Sequence, residues 1–358
     1  MANYTLSERK REILINAVGN YIDNALPITS GNVQSTVFSS LSSATLRNEL
    51  NALEEMGFLK QLHTSGGRIP TSKGYSYYVE ELLKNSSNFD SEVVDLIKDK
   101  FVNRSNFILD IVDGLAKNVS DVLKLPTFIE MHNYDNLTIK NINIIPLITG
   151  QALLLVQTDA GIINNTINLS SSVTEDNCKD ASKFLSINLT NKTIRDILEN
   201  IDHYNELFKS QIKYFQELFG FITDTLKAYS VNHSIKTHSN ATKMLENSDY
   251  KDLDSAKKFL SLVEDEKEIS KLLQNIDDTS NNDIVYSIGE EGKDEFDDYS
   301  IIKANYSLKN GVVASIGVVG PKRLDYYRIA SALKFITEEI AQIEKEMHKG
   351  ENNGGKEK

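Results

Sequence analysis

The stretch "SSATLRNELNALEEMGFLKQLHTSGGRIPTSKGY", residues 42–75, decides the fold because its period changes halfway. Ser43 to Met56 reads as a helix in which Leu46, Leu50, Leu53 and Met56 form one narrow stripe for burial. Ser43 suits its N-cap and Gly57 its C-terminal end. Phe58, Leu59 and Leu62 then lead out along a strand, Gly66-Gly67 supplies positive-φ turn geometry, and Ile69 leads back. A helix that runs straight into a polar, basic hairpin is most economically explained if both lie on DNA.

Working outward, Ile13, Leu14, Ala17, Val18, Tyr21 and Ile22 share one face of an earlier helix. Pro27 follows its end, since proline disfavours helix in the residue before it. Thr29 or Ser30 suits the N-cap of a short second helix. After the hairpin, Tyr75, Tyr78, Val79, Leu82 and Leu83 form the apolar face of a fourth helix. Three helices and a hairpin within about 70 residues make the plan of a winged helix-turn-helix, whose third helix matches the width of the major groove.

The residues facing away from the Leu46 stripe are Ser43, Thr45, Arg47, Asn48 and Asn51. Arginine bonds guanine bidentately and asparagine does the same with adenine, so Arg47 and Asn48 are the candidates for base reading. The hydroxyls of Ser43 and Thr45, beside the free N–H groups of the helix start, suit phosphate. His63, Thr64, Ser65 and Arg68 at the hairpin tip, with Lys73 beyond it, are expected to reach the backbone or the minor groove. Pattern alone leaves a second option open: a solvated three-helix bundle in which Arg47 pairs with Glu49 or Glu54.

The 358 residues call for two or three domains. A single cysteine, Cys178, excludes an intramolecular disulfide and suits a reducing compartment; it reads as a passive small residue. With no secretory leader and no apolar run long enough for a bilayer, the expectation is a soluble cytoplasmic protein with no membrane partner. The net charge of −12 argues at first against nucleic acid. Residues 1–84, however, hold eight basic and eight acidic residues, so the remainder carries the whole imbalance. Phosphate contact is local, because charges are screened within about 8 Å at physiological salt.

Residues 85–91 read as a linker, and 92–125 as a long helix stopped by Pro126. Strand-like runs fall in two groups, around 127–169 and 282–319, with Asp159–Gly161 suited to a tight turn. Residues 173–230 look helical, Leu324 to Ile343 closes with an amphipathic helix, and 348–358 read as a disordered tail. "GVVGPKR", residues 317–323, reads as a strand end and helix start with Pro321 in the first turn. Tyr326 and Tyr327 are packing or dimer residues, which the pattern does not separate. The six histidines are scattered without ligand spacing, so no metal, cofactor or catalytic set is expected.

"LSERKREILINAVGNYI" (6–22), residues 41–79 and "SIGVVGPKRLDYYRIASALKFI" (315–336) together resemble HrcA, the bacterial heat-shock repressor family, with a weaker match at "LLLVQTDAGIINN" (153–165). The resemblance implies an α+β multidomain chain: a winged helix-turn-helix at 1–84, a GAF-like domain at 92–170 and 233–347, and an inserted, dimerising segment at 171–232. It further implies a homodimer that binds the CIRCE inverted-repeat operator in double-stranded DNA and represses chaperone operons, with the chaperonin GroEL maintaining its activity. The family pattern departs at "NALPITS" (24–30) and at Ser76, where a basic residue is usual. Two other readings remain: a winged-helix regulator answering to a small molecule through its GAF-like domain, and an enzyme, for which no nucleophile–base or paired-carboxylate set stands out.

Overall fold

The structure, a computed structural model, describes the chain outside positions 1–5, 37, 63–65, 86–88, 102–104, 106, 148–149, 232–233, 239–252, 266, 270–275, 277–283, 290–296 and 355–358. The N-terminal unit runs α1 (Glu8–Asn24), α2 (Ser30–Thr36), α3 (Ser43–Glu55), β1 (Leu59–Gln61), β2 (Arg68–Pro70) and α4 (Ser72–Asn85). Ile13, Leu14, Ala17 and Val18 of α1 are buried together with Leu46, Leu50 and Leu53 of α3, so the stripe read from spacing is its core. Met56 is not part of that stripe; it is over a third exposed. The chain leaves the helix there by a Schellman motif: Gly57, at φ +79°, bonds Glu54 O, and Phe58 N–H reaches Leu53 O at 2.9 Å.

The hairpin pairs Leu59 with Pro70 and Gln61 with Arg68. "NALPITS" contributes more than a turn. Ile28 exchanges both backbone bonds with Arg68, at 2.7 and 2.9 Å, adding a third antiparallel segment to the hairpin. This contact explains Gly67, which does not have positive φ as expected. A Cβ there would stand 2.6 Å from Pro27 Cβ and 2.9 Å from Ile28 O, so only glycine lets the two backbones meet.

The expected long helix is two, α5 (Ser91–Lys100) and α6 (Ile108–Leu123). Phe101 turns extended at φ −82°, ψ 112°, and Ser105 accepts from Phe107 N–H while donating to Asp110 at the start of α6. The strands also divide differently from expectation. β3 (Thr127–His132) lies inside an antiparallel five-stranded sheet with four later strands: β7 (Ser234–His238), β8 (Ile284–Ile288), β9 (Tyr299–Ser307) and β10 (Val313–Pro321). Its order is β7-β3-β10-β9-β8.

β4 (Ile139–Pro146), β5 (Gln151–Thr158) and β6 (Ile162–Asn168) form a separate meander, with Thr158 N–H bonding Gly161 O across the anticipated tight turn. α7 (Glu175–Leu189) packs on β4. Its Ser182 and Ser186 hydroxyls accept the Ile144 and Ile142 N–H groups at 2.9 Å and so satisfy the edge of that sheet. The meander therefore sides with α7, α8 (Ile194–Glu199), α9 (Ile201–Phe208) and α10 (Phe215–Val231), rather than with the five-stranded sheet.

α11 (Leu253–Glu264) and α12 (Tyr326–Gly354) complete the described helices. Pro321 ends β10 rather than starting a helix, and α12 continues to Gly354 through most of the segment expected to be disordered. Tyr326 is buried against Tyr75 and Tyr78 of α4, while Tyr327 is over a third exposed. Tyr326 is thus a packing residue that joins the N-terminal unit to the body. Tyr286 OH donates to Ser76 O at 3.0 Å, Ser72 donates to Gly289 O, and Arg323 donates to Ile22 O at 2.8 Å across the same junction. Buried Cys178 has its thiol pushed above the ordinary range by desolvation, which suits a passive role.

Candidate nucleic-acid interface

α3 is held from both sides, and the holding decides which of its residues face out. Ser42, one residue before the expected cap, is the N-cap: its hydroxyl accepts Thr45 N–H at 3.1 Å. Thr45 Oγ1 lies 2.9 Å from Ser42 Oγ, so this hydroxyl belongs to the cap. Ser43 is exposed and donates to Ser30 Oγ at 3.0 Å, tying the start of α3 to the start of α2. Thr29 caps α2 by accepting Asn32 N–H.

Glu49 is drawn to α1, where Lys10 meets it at 2.9 Å and Arg9 at 3.8 Å. Glu54 is drawn to the hairpin, where Arg68 Nε donates to it at 2.7 Å. Both carboxylates that would have neutralised Arg47 are therefore engaged on the flanks. Arg47 and Asn48 are exposed and make no hydrogen bond or ion pair among the described residues. Ser43, Ala44, Arg47, Asn48 and Asn51 form one exposed strip, with repeats of three and four residues. Ala44 was missed from sequence because an alanine carries no polar signal. On such a strip its methyl is the kind of group that packs on a thymine methyl.

The hairpin residues differ from expectation. His63, Thr64 and Ser65 lie outside the described residues. Arg68 stands beside the turn, but its side chain is not turned out toward phosphate. It opens the return strand at the loop end of the ladder, opposite Gln61, 9% exposed, with its guanidinium divided between Glu54 and the Asn51 carboxamide oxygen. Lys73 points back toward the end of α3, donating to Met56 O at 2.6 Å with its ammonium 4.4 Å from the centre of the Phe58 ring. A cation there complements the negative end of the helix dipole. Both cations thus brace α3 in this structure.

An exposed polar strip on a helix braced by a hairpin, joined to a larger α/β body, is an arrangement that suits a DNA-binding transcription regulator. The family model for the HrcA protein C-terminal domain matches residues 109–330. The heat-inducible transcription repressor HrcA of Caldanaerobacter subterraneus subsp. tengcongensis is 32% identical, across 94% of this chain and 97% of its own length. That of Clostridium tetani is 32% identical, across 95% and 96%. The chain belongs to the HrcA family of heat-inducible transcription repressors. A crystal structure of a hypothetical protein, 21% identical, superposes with a TM-score of 0.65 over 96% of this chain and all of the other, which shows a shared fold. Among the described residues no helix is long and apolar enough to cross a membrane.

Proposed function

We propose that this repressor binds the CIRCE inverted repeat through α3 and the hairpin, and so silences chaperone operons in unstressed cells. The observation that carries the reading is the strip on α3: Arg47 and Asn48 stand exposed while Glu49 and Glu54 are held aside by Lys10 and Arg68. The order helix, bridge segment at Ile28, helix, helix and hairpin supports a winged helix-turn-helix. The five-stranded antiparallel sheet supports a GAF-like domain, and the meander with α7–α10 supports an inserted unit that begins near Tyr134 rather than at 171.

An inverted repeat has two-fold symmetry, so it calls for two readers and hence a homodimer. GroEL enters as the factor that maintains the binding-competent form. If that form is a fraction of the population, apparent operator affinity falls by the same fraction.

Footprinting on a chaperone promoter tests the reading. Protection of both half-sites by the folded protein, with or without chaperonin, is the expected result; no protection at low salt overturns it. Ligand regulation is the second reading. It attaches to a cleft of about 370 Å³ between the N-terminal unit and the body, lined by Tyr75, Lys258, Tyr299 and Lys322 among others. A small molecule that shifts thermal stability and operator affinity together would favour it.

A further inference from the structure

Arg68 joins three things that must agree if two elements are to enter DNA together. Its backbone pairs with Ile28 and with Gln61. Its guanidinium donates from Nε to Glu54 and from Nη2 to the Asn51 Oδ1. The side chain is nine-tenths buried, so the planar fork is held in one geometry and not free to sweep toward solvent. An arginine offers only donors, so the atom that meets it on Asn51 must be the carbonyl oxygen. The amide Nδ2 of Asn51 is thereby turned away from Arg68, on a residue that is itself exposed on the strip.

We propose that Arg68 is a positioning and specificity-determining residue for operator reading. It sets the angle between hairpin and recognition helix, and it orients Asn51 so that its donors face the groove. Adenine is read bidentately by an amide that offers both an acceptor and a donor. Asn51, with its oxygen turned toward Arg68, presents its amide donors to the groove first, which suits the acceptor edges of guanine (O6, N7) or thymine (O4). Asn48 has no partner among the described residues and keeps both faces of its amide. Two asparagines three residues apart on one helix therefore read different bases. The inference rests on the DNA-binding reading above.

The test compares wild type with Arg68→Ala, Arg68→Lys, Asn51→Ala and the double variant Arg68→Ala/Asn51→Ala. Operator affinity is measured by fluorescence anisotropy across a salt series and against operators substituted one base pair at a time. Arg68→Ala is expected to lose about tenfold in specific affinity, the size of one base contact. Its salt slope should stay at the wild-type value. Its loss should fall at the operator positions affected by Asn51→Ala, and the double variant should bind no more weakly than the single ones.

Arg68→Lys keeps the charge but lacks the planar fork that spaces Nε and Nη2 between Glu54 and Asn51, so it should lose affinity as well. If Arg68→Ala does not fold, this variant carries the same comparison. A slope flattened by about one unit per subunit, with equal loss at every position and full rescue by lysine, would mark a phosphate contact and overturn the proposal. So would additive losses, or an Asn51→Ala effect confined to adenine. Failure of the wild type to bind the operator would instead strike the DNA-binding reading itself.

Discussion

Substituting Arg47→Ala removes a side chain that is exposed on α3 and has no ion-pair partner among the described residues. Surface truncations of this kind stay within about 0.5 kcal/mol of wild-type stability. Alanine is also the better helix former, so the melting temperature should hold or rise slightly. On the operator the same change deletes a bidentate base contact worth about 1–3 kcal/mol, or roughly 5- to 150-fold. If both half-sites are engaged, as the proposed homodimer requires, the total is about 2–6 kcal/mol for well-separated, additive positions. Competition gel shifts with operator and scrambled DNA measure this directly, because loss of base reading narrows the ratio between them. An unchanged ratio refutes the assignment of Arg47 to base reading. A large fall in melting temperature refutes the claim that its side chain is structurally idle.

Two further outcomes follow from the packing. Leu50→Ala deletes a fully buried side chain at the centre of the α3 stripe and should cost about 2–5 kcal/mol, read as a lowered denaturation midpoint. It should weaken operator and scrambled DNA alike by unfolding the reader, the opposite signature to Arg47→Ala. At high pH the junction between the units should fail early. Burial pushes the phenols of Tyr78 and Tyr286, both at that junction, up to about 12. Their contribution is present below the ordinary phenol value near 10 and is lost as pH rises toward about 12, because the unfolded chain gives up protons that the folded one retains. A spectrophotometric tyrosine titration should show late-ionising phenols coinciding with increased protease cleavage between residues 79 and 91. Full ionisation near 10 with the junction intact contradicts this.

Periodicity was a good guide where one face of an element meets one neighbour. Leu46, Leu50 and Leu53 behave in this way, and so does the apolar face of α1. It failed at Met56, because the Schellman turn at Gly57 ends the helix before the stripe does. The cap expected at Ser43 falls one residue earlier, because it is the Ser42 hydroxyl that accepts Thr45 N–H, and adjacent serines give the sequence no means of choosing. β3 was hard to see as an interior strand, since its partner β10 lies more than 180 residues downstream and its buried run includes Glu130. Local pattern carries no information about such pairing. The same limit applies to the interface: the exposed Arg47, Asn48 and Asn51 were legible as one helix face. The turning of Arg68 toward Glu54 depends on where Ile28 and Gly67 place the hairpin.

That arrangement has a consequence for how tightly salt should control binding. Of the eight cations in residues 1–84, five are in ion pairs: Arg9 and Lys10 with Glu49, Arg11 with Glu81, Arg68 with Glu54, and Lys84 with Glu80 and Glu81. Lys73 is directed to Met56 O and the Phe58 ring. Arg47 and Lys60 complete the set. Exposed pairs such as Arg9 with Glu49 are weak, about 0–1 kcal/mol, and can exchange a carboxylate for a phosphate; a buried one such as Arg68 with Glu54 cannot do so cheaply. Setting aside Arg47 for a base and Lys73 and Arg68 for α3, the exposed cations Arg9, Lys60 and Lys84 give about three per subunit that can turn to phosphate. Each contributes about 0.9 to the dependence of log affinity on log salt, which predicts a slope near −3 per subunit and about −5 to −6 for two. A slope as steep as about −10 would require most of the paired cations to change partners on DNA, and the ion pairs that set the α3 strip would then not survive binding.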